Sequence, residues 1–253
     1  YLKIAPRASA ETPPEKHSSQ RTWFHDWNEA TISTETGIVV PVSHIKHPEA
    51  ESTLWHFNPA GRLKLAERGA ILMKAIGHLD RTGPSASLIA ADLRGWGDTA
   101  AMPSPFEHVS WGGPDRFASY ISIALDDPVE AARVHDAYAV YHAFPDTKRN
   151  ILHATGAAGP VALHLAALTR NFDAVVLHDA PASYGDLLAT EDFNWPHDVI
   201  LPSVLKHYDL PLLAKAADCP VHWINPRNGA NQPLSQTTCE ERTNETLHYH
   251  CDL

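Results

Sequence analysis

Short apolar runs alternate with amphipathic stretches along most of the chain, and these two patterns predict strands and helices respectively. The apolar runs are rich in Val, Ile, Leu and Ala and are bounded by Gly, Pro, Asn or Asp. They predict strands at 29–34, 38–45, 53–57, 87–91, 150–154, 173–177, 220–225 and 246–250. Apolar residues at helical spacing, or runs of strong helix formers, predict helices at 63–79, 117–125, 129–144, 161–168, 206–217 and 234–242.

The order of these elements predicts the fold class. The first two strands flank Thr36 and Gly37, a dipeptide typical of a β-hairpin. From residue 87 onward, strands alternate with helices, which indicates parallel pairing through right-handed crossovers. We therefore expect an α/β fold with a mostly parallel central sheet, an antiparallel start and helices on both faces.

The length of 253 residues suits a single domain with a sizeable core. Residues 1–20 are rich in Pro, Ser and charged residues and predict a linker or disordered arm, which leaves residues 21–253 as one domain. The sequence opens at Tyr1 without a Met or a signal-peptide pattern, so we expect an excised or processed piece.

Charge and composition exclude some partners. The net charge is −10 and the 20 basic residues are scattered singly, which argues against nucleic acid or an anionic membrane surface as the main partner. No apolar run approaches the roughly 18 residues that a membrane-spanning helix needs. Three cysteines are too few for a disulfide scaffold; Cys239 and Cys251 can form a pair or remain as free thiols.

The segment 150–181 is the centre of the predicted fold. It consists of a buried strand, the small residues Gly156, Ala157, Ala158 and Gly159, an Ala- and Leu-rich helix and a second buried strand. A tight turn between a buried strand and a buried helix is where many hydrolases hold a nucleophile.

Two further features resemble the α/β-hydrolase superfamily. One is Asp-Leu-Arg-Gly-Trp-Gly-Asp-Thr at 92–99, directly after a predicted strand, and the other is the small-residue turn. The stretches at 119–144, 160–168, 172–184 and 204–235 resemble acetyl xylan esterase-type bacterial carbohydrate esterases, and in particular the second hydrolase-like half of long members of that group. The resemblance covers roughly residues 21 to 245. It implies carboxylic-ester chemistry on an acylated carbohydrate or small ester, no cofactor, a secreted or periplasmic location and an upstream domain of the same protein.

The resemblance also implies where a serine triad belongs. Aligned on the helix, the nucleophile position is Gly156, which has no side chain and cannot attack. A shift by one residue would put Thr155 at the tip, but His153 would then stand where the turn requires a small residue. The backbone N–H groups of Ala157 and of the loop at 58–61, represented by Gly61, are the implied oxyanion donors.

The other two triad positions also depart from the family pattern. The acid position after the strand at 220–225 is Asn228, which is isosteric with Asp but uncharged; Asp179 after the preceding strand is the alternative acid. The family's histidine follows the last strand, where His248 and His250 lie within the predicted strand and not in a loop. Ser183 is a further nucleophile candidate if a base lies nearby.

A ligand pocket in an open α/β sheet forms at the carboxyl ends of the strands. Aromatic and histidine side chains in the segments that follow those ends are candidates for stacking on a sugar ring: Trp96, His108, Trp111, Tyr184, Trp195, His207 and Tyr208. The spacing of the candidate metal ligands predicts no metal site. These candidates are Asp92, His178, Asp179, His248, His250 and Cys251.

Three changed triad positions favour a hydrolase-like domain without serine-triad chemistry, acting as an accessory or binding domain. The alternative is an active ester hydrolase that uses Thr155 or Ser183 with Asp179 and a histidine. A metal-assisted hydrolase is the third hypothesis.

Overall fold

A single nine-stranded sheet organises the part of the chain that the structure describes. A computed structural model describes residues 13–21, 26–46, 50–62, 86–100, 114–144 and 148–251. The strands are β1 (Glu15–Arg21), β2 (Asp26–Glu35), β3 (Ile38–Lys46), β4 (Ser52–Phe57), β5 (Ala86–Ala91), β6 (Arg149–Thr155), β7 (Ala174–His178), β8 (Val221–Ile224) and β9 (Leu247–His250). The helices are α1 (Pro114–Ala124), α2 (Val129–His142), α3 (Ala158–Thr169), α4 (Tyr184–Ala189), α5 (Leu210–Ala216) and α6 (Gln236–Arg242).

The strand order is β1-β2-β3-β5-β4-β6-β7-β8-β9. The pairs β1–β2, β2–β3 and β3–β5 are antiparallel, and every later pair is parallel. This arrangement confirms the predicted mostly parallel sheet with an antiparallel start. The β2–β3 hairpin turns at Gly37, whose φ of +80° is readily available only to glycine.

The main core lies between one face of the sheet and the helices. Val134 and Val140 of α2 and Leu163 and Leu165 of α3 are completely buried against inward-facing strand residues. On the opposite face, Leu54, Ile151 and Val176 form a smaller apolar cluster. Because strand side chains alternate between faces, the second face also carries the histidines of β4, β6, β7, β8 and β9.

The structure differs from the predictions in two segments. The predicted linker at 1–20 ends in a strand, because Glu15–Arg21 pairs with β2. The segment from Pro181 to about Pro202, in which the sequence pattern predicts no strand or helix, contains α4 and a short 3₁₀ helix at His197–Val199. The predicted helix 63–79 lies outside the described residues, and so does the Pro- and Gly-containing stretch 102–113, for which no element is predicted.

The carboxyl-terminal elements are joined covalently. Cys239 of α6 and Cys251, directly after β9, form a disulfide with a Cα–Cα distance of 6.6 Å. The structure therefore selects the paired alternative for these two cysteines. Cys219 is a buried free thiol. Among the described helices, none is long and apolar enough to cross a membrane.

Candidate functional site

The turn between β6 and α3 has the shape of a nucleophile elbow. β6 ends at Thr155, and Gly156 follows with φ +53°. The Gly156 N–H donates to the carbonyl oxygen of His178 at 2.8 Å, which ties the turn to the end of β7. A Cβ atom at Gly156 would meet nothing within 4 Å. The tip of the turn thus has room for a side chain, but this sequence places none there.

Gly159 allows the helix to approach the neighbouring strand end. It lies in the first turn of α3, and a Cβ atom there would come within 2.6 Å of the Ala180 Cβ. The small residues of the turn therefore have two different functions: Gly156 permits the backbone reversal, and Gly159 permits the close packing.

The two implied oxyanion donors have different surroundings. Ala157 precedes the first turn of α3, where backbone N–H groups have no partner within the helix. The Gly61 N–H instead donates to the carbonyl oxygen of Asn58 at 2.9 Å, and the Ala60 N–H donates to Asn58 Oδ1 at 2.9 Å. The loop after β4 therefore uses both of these N–H groups within its own turn.

Asn228, at the predicted acid position, also stabilises its own loop. Its Oδ1 accepts hydrogen bonds from the N–H groups of Ala230 and Gln232, both at 3.0 Å. Its carbonyl oxygen accepts the indole N–H of Trp195 at 2.8 Å. Among the described residues, no histidine is bonded to the Asn228 side chain.

Asp179 forms an ion pair with Arg227. It follows β7 with φ +50°, and its Oδ1 accepts from Arg227 Nε at 3.0 Å, from Arg227 Nη2 at 2.5 Å and from Asn225 Nδ2 at 2.5 Å. This charge-assisted pairing joins the ends of β7 and β8. All three of these contacts go to the same carboxylate oxygen.

The two alternative nucleophiles are placed differently. Ser183 is 7% exposed and is the N-cap of α4, where its Oγ accepts the Asp186 N–H at 2.8 Å. This is the ordinary structural use of a serine before a helix. Thr155 is the last residue of β6 and pairs in register with His178.

The histidines of the second face form two separate groups. His222 stacks on His248 with ring centroids 4.8 Å apart, and its Nδ1 lies 3.2 Å from His250 Nε2. Burial, with a contribution from the other two rings, lowers the pKa of His222 to about 4. His248 and His250 lie within the edge strand, as the sequence predicts, and not in a loop.

The second group is a chain of three hydrogen-bonded imidazoles that we did not predict from the sequence. His153 Nδ1 lies 2.7 Å from His56 Nδ1, and His153 Nε2 lies 2.7 Å from His178 Nδ1. Burial, reinforced by both neighbouring rings, holds the pKa of His153 well below its usual value. The signal in the sequence was one histidine in each of three apolar runs, but only the register of β4 against β6 places His56 opposite His153.

Three of the candidate metal ligands have other partners in the structure. Cys251 is in the disulfide, Asp179 pairs with Arg227, and the buried Asp92 pairs with Arg62. Within the described ranges, no group of three or more His, Cys, Asp or Glu side chains is placed to hold a metal ion.

The segment 92–99 binds the loops together. The Asp92 carboxylate accepts the Arg62 N–H, the Arg62 guanidinium and the Asp98 N–H. Arg94 pairs with Asp136 of α2 and with Glu35 of β2, both at 2.8 Å. The charged residues of this motif therefore stabilise the strand ends.

Three of the predicted stacking residues belong to one buried polar cluster. Trp96 is 5% exposed and lies under the Arg133 guanidinium, 4.5 Å from its ring centre. Tyr184 is fully buried, and the Tyr208 hydroxyl lies 2.7 Å from His164 Nε2. Burial, with a smaller contribution from the charge of Glu130, raises the pKa of both tyrosines. Trp96 and Tyr184 are therefore packed inside the protein, whereas Tyr208 is half-buried.

The remaining predicted stacking residues are dispersed. His207 is exposed, while Trp195 is buried beside the Asn228 loop. His108 and Trp111 lie outside the described residues.

No protein-family model matches the chain, and no curated protein matches it by sequence. Solved structures do match. Acetyl xylan esterase 1 from Thermoanaerobacterium sp. aligns over 100% of this chain and 86% of its own, with 15% identity and a TM-score of 0.64. An acetyl xylan esterase from Paenibacillus sp. aligns over 100% of this chain and 86% of its own, with 10% identity and a TM-score of 0.64.

A third match is a cold-adapted esterase from an Arctic intertidal metagenomic library. It aligns over 93% of this chain and 87% of its own, with 14% identity and a TM-score of 0.53. At such low identities the likeness concerns the backbone alone. Together with the strand order and the elbow, it establishes that this chain has the α/β-hydrolase fold of the acetyl xylan esterases and other esterases.

Proposed function

We propose that this chain is a hydrolase-like domain without a working serine triad, acting as an accessory or binding domain in a protein that processes carbohydrate esters. The observation that carries the proposal is Gly156, which occupies the left-handed tip of the elbow and has no nucleophilic atom.

The surroundings of the two acid positions support this proposal. In an active serine hydrolase the acid holds the imidazole in the tautomer that accepts the serine proton. Here Asn228 is uncharged and closes its own turn, and Asp179 is paired with Arg227. Among the described contacts of these two side chains, none is to a histidine.

The alternative of a relocated nucleophile has less support. Serine needs a base within hydrogen-bond reach to become nucleophilic. Ser183 Oγ lies at the start of α4 and is bonded to a backbone N–H, with no imidazole among its described partners.

The partner and the ligand follow from the same proposal. The similar structures are named for acetyl xylan, so an acylated carbohydrate is the ligand to test first. An upstream domain with an intact serine elbow would make this half the accessory one.

One assay separates the hypotheses. We expect the chain to hydrolyse p-nitrophenyl acetate no faster than buffer and to take up no fluorophosphonate probe. Turnover that the probe abolishes would refute the proposal and favour Thr155 or Ser183, to be tested with Thr155→Val and Ser183→Ala. Turnover lost to a chelator and restored by zinc would favour a metal-assisted hydrolase.

A serine introduced at the tip of the elbow tests whether a base lies within reach. Gly156→Ser adds a side chain into open space. We expect a folded protein that remains inactive and unlabelled, because a serine without an adjacent base is a weak nucleophile. Esterase activity in this variant would show that a base is available at the elbow. Binding of acetylated xylo-oligosaccharides, followed by calorimetry, tests the accessory function separately.

A further inference from the structure

Among the described residues, five buried side-chain polar atoms have no hydrogen-bond partner; one is Nε of Arg116, and the other four belong to three residues of the interior. These four are both carboxyl oxygens of Glu130, Nη1 of Arg133 and the hydroxyl of Tyr184. All three residues are at most 2% exposed. Buried polar groups in native proteins almost always have a protein or water partner, so several unpartnered atoms in one region indicate a binding site for a small molecule.

The surrounding contacts show why the side chains do not satisfy one another. The Arg133 guanidinium is held by the Arg94 carbonyl oxygen at 2.9 Å, by Asp198 at 2.6 Å and by the face of Trp96. With the guanidinium held in this way, Nη1 remains 3.8 Å from Glu130 Oε2, which is too far for a direct hydrogen bond. A molecule placed to one side of that line reaches both atoms at about 2.8–3.0 Å.

Tyr184 approaches the same region from α4. Its backbone N–H donates to Asp209 at 2.6 Å, and Ser183 caps the helix, so the position of the phenol is set from behind. The charge of Glu130 acts on the hydroxyls of both Tyr184 and Tyr208, so both phenols lie near this carboxyl group. The Tyr208 hydroxyl is bonded to His164, whereas the Tyr184 hydroxyl is not bonded.

The chemistry of the unpartnered atoms decides which kind of ligand they can bind. An anion would be repelled by Glu130, and a metal ion would face the Arg133 guanidinium and only one carboxylate. The set contains acceptors, a donor and a hydroxyl that can do both, and only a small neutral molecule with both functions satisfies all of it. We infer that Glu130, Arg133 and Tyr184 bind one or more internal water molecules that bridge α2 to α4.

The bridge has a structural consequence. It joins α2, which packs against α3, the helix that begins at the elbow, to the first residue of α4. Burial, opposed by Arg133, raises the pKa of Glu130 well above its usual value, and water can serve either the protonated or the ionised carboxyl as donor or acceptor.

The sign of one stability change tests the inference. If Tyr184 is bonded to a water molecule, Tyr184→Phe removes that bond, and we expect the thermal unfolding midpoint to fall by about 2–4 °C. If the site is dry, the same variant removes a buried unpartnered hydroxyl, and the midpoint rises or stays the same. The matched control is Tyr141→Phe, which removes a phenol bonded to Asn171 at 2.6 Å and lowers the midpoint in either case.

A crystal structure of the chain at a resolution that shows ordered water gives the second readout. We expect density within hydrogen-bond distance of both the Glu130 carboxyl and the Tyr184 hydroxyl, and loss of that density in Tyr184→Phe. A dry site, or direct bonds among the three side chains, would overturn the inference.

Discussion

Three consecutive strands end in residues with a left-handed backbone. Gly156, Asp179 and Asn225 follow β6, β7 and β8 with φ of +53°, +50° and +55°. Glycine adopts this conformation freely, whereas Asp and Asn need local stabilisation. Asp179 and Asn225 obtain it from each other, through a 2.5 Å hydrogen bond that Arg227 reinforces. The same contacts join the ends of β7 and β8.

Alanine substitutions separate the functions of the two elbow glycines. Gly156→Ala places a Cβ in open space but in a left-handed backbone, and we expect it to reduce the free energy of unfolding by about 1–2 kcal/mol. Gly159→Ala meets Ala180 and should reduce it by about 1–3 kcal/mol through overpacking. Urea unfolding measures both.

Gly37→Ala is the matched control for Gly156→Ala, because Gly37 also has a positive φ and open space around it, but in a distant hairpin. Equal losses at these two positions would assign the effect to backbone strain. An added Ala180→Gly change should relieve Gly159→Ala and not Gly156→Ala. Relief at neither position would contradict the packing argument.

The loops after β4 and β5 depend on one buried ion pair. Arg62 is 9% exposed and Asp92 is 1% exposed in their side chains. We expect Arg62→Met to reduce the free energy of unfolding by about 3–5 kcal/mol, because it leaves the Asp92 carboxylate buried without its cation. The measurement is denaturant unfolding at neutral pH.

A surface pair provides the contrast. Lys148 and Glu51 are also in contact, at 2.7 Å, but their side chains are 75% and 74% exposed. Lys148→Met should leave the denaturation midpoint unchanged, because water and salt screen a pair at the surface. If the two substitutions cost the same, the Arg62 pair would not have the stabilising effect that we assign to it.

The disulfide links the end of the edge strand β9 to α6. It closes a loop of sequence separation 12 between α6 and β9. Replacing both cysteines with serine should cost about 2–4 kcal/mol of stability, mainly because the unfolded chain gains freedom. A reducing agent should lower the melting temperature of the wild type and leave the double variant unchanged. An effect of reductant on the double variant would point to Cys219 instead.

A buried histidine makes the stability of the whole chain depend on pH. Burial lowers the pKa of His164 from 6.5 to about 4, opposed by its hydrogen bond to the Pro160 carbonyl. Above pH 6.5 neither the folded nor the unfolded chain protonates this ring, so it contributes no pH dependence there. As the pH falls towards 4, the unfolded chain binds the proton first, and stability is lost.

We therefore expect His164→Asn to have a flatter stability profile than the wild type, by about 2 kcal/mol between about pH 7.5 and about pH 5. The comparison isolates His164, because Glu130 acts in the opposite direction in both proteins: its raised pKa favours the folded state at low pH. Urea midpoints across this range measure the difference, and the exposed His207→Asn is the control. Parallel profiles for wild type and His164→Asn would refute this assignment.

Much of the fold is predictable from local patterns. Apolar runs bounded by turn residues placed β2 to β9 within a few residues, because a strand buried in a parallel sheet needs a continuous apolar stretch. The polar β1 escaped detection because an edge strand needs no apolar face. The elbow was predictable for a similar reason, since its small residues meet a local steric requirement.

The sequence shows which residue types lie at the candidate site but not which contacts they make. Gly156, Asn228 and the position of the last histidines can be read directly from the sequence, and they decide whether triad chemistry is available. Their contacts depend on residues distant in the chain. The pairing of Asp179 with Arg227, the three-imidazole chain and the buried cluster around Glu130 arise only when strand register and helix packing bring them together. Local sequence patterns specify short-range backbone geometry, whereas side-chain partners are set by the packing of the whole chain.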